Sequence, residues 1–290
     1  MFRRAHLATA GLCGLMMFSM ASTAMAGPAD VTLTRFGECT STAGGNCGGV
    51  TVDEAGFRDF TRELGLATSV YALQPAETTG QSGFAMQLNF VNTSIAGDAD
   101  YWRKASVDGN PPSSLSVMNL HVRKGLPFSL EVGFNAGIML DSELVTLGGE
   151  IKYAINEDWI WPVPDLAIRA WGNAVLGARD LDLYNVGGDV IVSLPIGIGG
   201  TVQLTPILGY SLHAVISKSG VLNAMPGNPL PPVISPGGTH LPEYVFGVDT
   251  QVMHRMFAGL QLSVAAFDLN FQASFIGDQL TLAGGLGASF

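Results

Sequence analysis

The sequence is short of charge. Only 13% of its residues are Asp, Glu, Lys or Arg, against about a quarter in an ordinary soluble domain. Positive charge is the scarcer sign, with 14 Lys and Arg against 24 Asp and Glu and a formal net charge of −10. The only basic runs beyond the N-terminus are the pairs Arg103-Lys104 and Arg123-Lys124. A nucleic-acid partner is therefore not expected, since phosphate binding needs clustered Lys and Arg. Long apolar runs are also missing. After residue 26 no stretch of 18 or more apolar residues occurs, which argues against membrane-spanning helices. No Gly-rich phosphate loop, zinc motif or Gly-x-Ser-x-Gly elbow is present, so neither a cofactor nor a metal site nor an enzyme is expected. Cysteine is nearly absent, with three in the whole chain.

The N-terminus carries an export pattern. Arg3 and Arg4 precede an apolar stretch from Leu7 to Met20, and Ala24-Met25-Ala26 follows. Basic, apolar, small is the order of a secretory signal, and the apolar part falls short of the ~20 residues of a membrane anchor. Residues 1–26 are read as a signal peptide, whose loss takes the charge from −10 to −12 by removing two arginines. Two cysteines then remain, Cys39 and Cys47, around a flexible Thr40–Asn46 stretch. In an exported chain an even pair reads as a disulfide. The alternative, a metal site, has no His nearby and only two thiolates.

Despite its low charge the chain is 47% hydrophobic with 37 glycines and a mean hydropathy of +0.32. A membrane protein without apolar helices satisfies its backbone in a closed β-barrel, whose signature is segments of about ten residues alternating apolar and polar. From Phe128 to Ile138, Phe128, Leu130, Val132, Phe134, Ala136 and Ile138 alternate with Ser129, Glu131, Gly133, Asn135 and Gly137. Thr201 to Val215 repeats the pattern, with Pro206 as a cost to its middle. Similar alternation marks strands around Phe84–Phe90, Met118–Arg123, Leu147–Ile155, Leu166–Trp171, Tyr184–Val192, Tyr244–Asp249, Ala258–Val264 and Leu280–Phe290. The fold class is thus all-β, an antiparallel transmembrane barrel of about ten strands. Twelve result if Leu66–Leu73 joins the wall with one further strand. Residues 81–290 are assigned to the barrel.

Connections at Gly125–Pro127, Asn156–Pro164, Pro195–Gly200 and His254–Met256 are short, while Asn92–Ser113 and Ser217–Pro242 are long. Phe128, Tyr153, Trp159, Trp161, Phe257 and Phe290 gather at the short side, as interfacial aromatics do. The last strand, with Leu282, Leu286, Ala288 and the terminal Phe290, resembles the C-terminal signal of bacterial outer-membrane β-barrel proteins. That resemblance implies recognition by the barrel-assembly machinery and residence in the bacterial outer membrane, among its lipid and lipopolysaccharide.

Residues 27–80 form a separate N-terminal segment, either periplasmic or a plug. Val52–Leu66 has a helical face of Phe57, Phe60 and Leu64, with Gly65 placed as a C-terminal stop. Glu131, Glu150, Lys152, Arg169, Asp189, His213 and Asp249 are expected to line the lumen. His213 and Asp249 lie on strands expected to be neighbours, which leaves a membrane-embedded hydrolase as a minor alternative. His240 and His254 are placed in a loop and a turn. Asp98–Trp102, with Arg103 and Lys104, is a candidate contact for lipopolysaccharide phosphate or an ordinary surface loop. The apolar, Pro-rich Ser217–Pro242 loop packs over the mouth or meets a hydrophobic ligand. The expected function is a narrow channel or transporter for an unidentified small molecule, one that the apolar loop allows to be hydrophobic. The alternative is a non-transporting structural or adhesive barrel.

Overall fold

A computed structural model describes residues 27, 29–41, 47–157, 162–225, 233–235, 238–240, 242–277 and 279–290. The signal-peptide reading, Trp159, Trp161 and part of the Pro-rich loop (226–232, 236, 237 and 241) lie outside the described residues, and of His240 only the backbone is described.

Ten strands form the wall: β1 (Phe84–Ser94), β2 (Ser114–Leu126), β3 (Leu130–Met139), β4 (Val145–Ala154), β5 (Asp165–Leu176), β6 (Leu181–Ser193), β7 (Val202–Ser219), β8 (Asp249–Val264), β9 (Phe267–Ile276) and β10 (Gln279–Ser289). Each pairs antiparallel with the next, and β10 returns to β1 through pairs such as Ala283↔Val91, so the sheet closes. Closure gives every wall strand a neighbour on both sides. A three-residue strand, Ile196–Ile198, pairs antiparallel with the first residues of β7.

The wall is apolar outside and polar inside. On β1, Met86, Leu88 and Phe90 are 44%, 52% and 47% exposed, while Gln87 and Asn89 between them are 2% and 3%. The same inversion holds for Phe134 and Ile138 against Glu131 and Asn135. Such a surface suits a barrel whose outside is hydrocarbon. Pro206 is accommodated where the ladder lets it be. Its carbonyl accepts from Leu194 N, just past the last β6–β7 pair, Ile207↔Ser193, so the missing N–H falls beyond the end of that ladder.

Several expectations change. Tyr244–Val248 is not a wall strand: Glu243–Tyr244 pairs only with Leu222–Asn223 in the β7–β8 connection. The tenth strand is instead β9, joined to β8 by the two-residue turn Ala265-Ala266. His254–Met256 is not a turn but lies within β8, with His254 facing outward against Tyr210. Phe257 faces inward, 3% exposed, because it shares the inner face with Arg255 and Gln261. Phe128 sits in a three-residue turn with Pro127 and Ser129, Phe128 and Ser129 both at positive φ (65° and 56°), and β3 begins at Leu130.

One end carries the short turns and both barrel termini, where Phe84 and Phe290 exchange backbone hydrogen bonds and stack their rings. The other end carries the long connections and the N-terminal region. There a hairpin (Gly37–Ser41 and Cys47–Val52), closed by the Cys39–Cys47 disulfide, leads into helix α1 (Glu54–Ala67). A short helix α2 (Asp100–Ala105) lies in the β1–β2 connection. Phe36, Phe57, Phe60, Leu64, Trp102 and Phe246 join these pieces in one apolar core, with Phe57 stacked on Phe246 at 4.0 Å. Trp102 is buried there rather than placed at an interface, and its Nε1 donates to Glu63 at 2.6 Å.

Gly65 is not a helix stop. It lies inside α1, where a Cβ would come within 2.6 Å of Val215 and 3.0 Å of Asn185 on the barrel's inner wall. Its missing side chain is what lets the helix sit in the mouth. Gly65→Val is expected to cost about 1–3 kcal/mol through overpacking, read as a lower urea midpoint and faster proteolysis at Arg58 or Arg62.

Asp53 caps α1 by accepting from Gly56 N at 2.9 Å, and takes Lys104 Nζ at 2.8 Å. The Lys104 hydrogen bond holds the Asp53 carboxyl below its ordinary 3.8 and, reciprocally, raises Lys104 above 10.5. Asp53 therefore contributes stability above pH 3.8 that is lost as pH falls through its lowered value, and Lys104 contributes below pH 10.5 until pH rises through its raised value. Hydrogen exchange of α1 is expected to be flat between those limits and to quicken outside them. Lys104→Met should quicken it at neutral pH as well.

Candidate functional site

From Thr68 the chain leaves α1 and runs down the inside of the barrel, reaching the short-turn end before β1 begins at Phe84. This strap does not join the wall. Leu66 and Ala67 end the helix, and the rest of the Leu66–Leu73 segment runs inside the lumen. Its backbone is satisfied by side chains of the wall. Thr68 O accepts from Asn173 Nδ2 at 2.8 Å, Val70 O from Arg255 at 3.1 Å and Glu77 O from Lys152 Nζ at 2.7 Å. Ala76 N donates to Ser193 Oγ at 2.9 Å, and Thr79 N to Glu131 Oε2 at 2.8 Å.

The residues expected to line the lumen are placed as follows. Glu131, Glu150, Lys152, Arg169, Asp189 and His213 all point inward and are buried. Lys152 Nζ lies 3.0 Å from Glu131, and Arg123 Nη1 lies 3.3 Å from the same carboxylate. Arg169 bridges Glu150 at 2.8 Å and Asp189 at 2.6 Å. Gln74 of the strap donates to Glu150 at 2.7 Å, and His121 approaches the same oxygen at 3.2 Å. Asp249 is different. It sits at the rim, partly exposed, paired with Arg58 of α1. His213 pairs across the ladder with Met253, four positions further in, and its Nε2 meets Asn185. His213 and Asp249 therefore do not converge.

Arg255 is the residue the sequence reading missed. It is fully buried, with Nη1 donating to Ser69 Oγ at 3.0 Å and its guanidinium 4.6 Å from the Tyr71 ring centre. Asp189 lies 3.8 Å away and also accepts from Trp171 Nε1 at 3.1 Å. The inward alternation of Met253, Arg255 and Phe257 was the available signal.

The lumen is filled. Between the strap and β1–β4 remains a cavity of about 10 Å³, bounded by Tyr71, Asn119 and Asn135, room for roughly one water. Among the described residues, no group of three or more His, Cys, Asp or Glu is placed to hold a metal.

No protein-family model and no curated protein matches the chain. Solved structures similar to it include Ail, the attachment invasion locus protein of Yersinia pestis (12% identity, 72% of this chain and 99% of that one, TM-score 0.27). The translocator domain of the autotransporter NalP from Neisseria meningitidis shares 8% identity over 73% of this chain and 88% of that one, TM-score 0.31. The Acinetobacter baumannii outer membrane protein Omp33 shares 9% over 75% and 100%, TM-score 0.27. At these scores the likeness is coarse, and the chain's own strand ladders define the class: a closed ten-stranded antiparallel barrel with a filled lumen.

Removing one partner of a buried ion pair leaves the other uncompensated, at about 3–5 kcal/mol. Asp189→Asn is expected to destabilise by about that amount, since Arg169 and Arg255 both rely on it. The measurement is the denaturant midpoint of the folded, heat-modifiable form. Lys218→Met, at an exposed pair with Asp182, should shift it by less than about 1 kcal/mol.

Proposed function

We propose that this protein is an outer-membrane barrel held shut by its own N-terminal strap, with a structural or adhesive role carried by the domain over its mouth. The observation that carries this reading is the strap. It runs through the inside of the barrel and is tied to it by buried charged groups of the wall, Lys152, Arg255 and Glu131, each bonded to its backbone. A narrow channel for small molecules, the other reading, requires those contacts to break.

The apolar outer face of all ten strands supports a membrane location, with outer-membrane lipid against Phe134, Ile168, Leu212, Phe271 and Leu282. The long connections and the cap then face outward, toward lipopolysaccharide, and the end bearing Phe290 faces the periplasm. The terminal aromatic is the feature that the barrel-assembly machinery would read.

The test is conductance of the mature protein, refolded and checked by heat-modifiable migration, in planar bilayers. The intact protein is expected to give no stable steps. A variant beginning at residue 80, which lacks cap and strap, is expected to conduct if it folds. Stable steps from the intact protein, altered by Glu131→Lys, would overturn the closed reading and favour the channel.

A further inference from the structure

Closure gives β8 a neighbour on both sides, but unequally. It pairs with β7 along its whole length, from Ser217↔Asp249 to Val202↔Val264, and with β9 only from Met256↔Phe275 downward. β9 turns straight into β10, with Ile276↔Gln279 as the last pair of that hairpin. The seven residues Asp249–Arg255 therefore stand beside no strand on their β9 side, over roughly 24 Å. Among the described residues no backbone hydrogen bond reaches them from there. This edge carries no Pro, Gly or Lys and no bulge, the features that commonly blunt an edge. Beside it lies a notch of about 860 Å³. The β9–β10 tip at Ile276 and Gln279 is its floor, the β1–β2 connection at Ile95 and Tyr101 its far side, and α1 at Arg62 its back.

We infer that the notch takes an extended peptide strand of a partner protein, which joins the sheet where β9 stops short. A row of N–H and C=O groups at strand spacing is matched along its length only by another strand; a lipid or a sugar meets one or two of them. Alternate side chains of the guest then face the back of the notch. Ile95, Ile276 and, on β8, Met253 offer them apolar surface. Glu63 also borders the notch, but it is buried and accepts from Ala96 N, Tyr101 Oη and Trp102 Nε1. Arg62 is half-exposed, and its ion pair with Asp59 is long, at 4.0 Å. The accessible charge is thus positive, and it suits one Asp or Glu among apolar inward residues. An unpaired edge is costly in hydrocarbon, and the exposed Arg58–Asp249 pair marks this level as wet, so a partner reaches it from outside the bilayer. The inference rests on the adhesive reading, for which it names the kind of partner, and not on a closed lumen.

The probe is a fluorescent, end-capped peptide, Ile-Thr-Val-Thr-Glu-Thr-Val-Thr-Ile, whose palindrome presents its Glu in either strand direction. Binding is read by anisotropy with the full mature chain in detergent. Saturable binding is expected. Two forms of the peptide, N-methylated on alternate residues, separate strand pairing from apolar adhesion. Methylation of the set that faces β8 should abolish binding, and of the other set should weaken it by less than about threefold. Arg62→Glu should weaken the parent peptide about tenfold and favour a version with Lys in place of its Glu. Lys218→Met, beyond β7 from the notch, should leave binding unchanged. Absence of saturable binding overturns the inference and leaves the closed barrel standing. Equal affinity of the two methylated forms, or an unchanged preference for Glu over Lys in Arg62→Glu, overturns it too. Stable conductance, by contrast, would overturn closure alone.

Discussion

The structure depends on one constraint: charges taken into a lumen this narrow must be satisfied inside it. Leaving the histidines aside, the wall buries four cations, Arg123, Lys152, Arg169 and Arg255, and the carboxylates that stand against them are Glu131, Glu150 and Asp189. The strap adds dipoles to this network, since carbonyls of Val70, Tyr71, Pro75 and Glu77 all accept from these cations. Its own donors are used in return, Thr79 N by Glu131 and Gln74 by Glu150. In a medium of low dielectric each unmade contact is costly, so strap and wall stabilise each other.

The distribution of apolar surface follows from the same arrangement. A soluble barrel hides its large side chains inside; this one puts Phe, Leu and Ile outside and keeps its interior for ions and amides. The main hydrophobic core forms where the chain leaves the barrel, around Phe36, Phe57, Phe60 and Trp102, and smaller apolar clusters around Phe257 and Leu73 join strap to wall. Glu63 shows how tightly that core is composed. Its carboxylate is buried, yet it accepts from Ala96 N, Tyr101 Oη and Trp102 Nε1, which binds α1 to the β1–β2 connection. Burial, followed by the hydrogen bond to Glu63 and its charge, raises the Tyr101 phenol above its ordinary 10.0.

Much of this was legible in the sequence, because period-two alternation with a polar inner face survives wherever the wall is regular. Ten strands were expected and ten form, but two misreadings offset each other. The turn between β8 and β9 is Ala265-Ala266, with neither Gly nor Pro to mark it, and Ala265 adopts a positive φ of 54° that its type rarely takes. Phe267–Ile276 alternates cleanly but has no punctuation before it. On β8 the faces are mixed, with His254 outside and Met253 and Phe257 inside, so the strand was broken in reading and Arg255 went unseen. The strap had no local signal. Leu66–Leu73 reads as a strand, and its partners, Asn173, Arg255 and Thr281, lie a hundred or more residues away.

The interior is asymmetric, and the asymmetry explains how a single extended segment fills it. Charged contacts to the strap come from β3, β4, β5 and β8. Opposite them, β9, β10 and β1 present mainly amides and hydroxyls, Asn270, Gln272, Thr281, Gln87 and Asn89, with Asp268 of β9 the buried ion there among the described residues. A charge on that side would find few carbonyls, since the strap reaches it mainly through Tyr71 Oη at Thr281. The gap is taken up by bringing the wall in. At Gly285 any side chain would collide with Gln87 and Asn89, and at Gly287 a Cβ would stand 3.1 Å from Gln87 Cβ. Glycine on the seam strand lets long amides cross toward the axis, so the barrel is filled from one side by its strap and from the other by its own side chains.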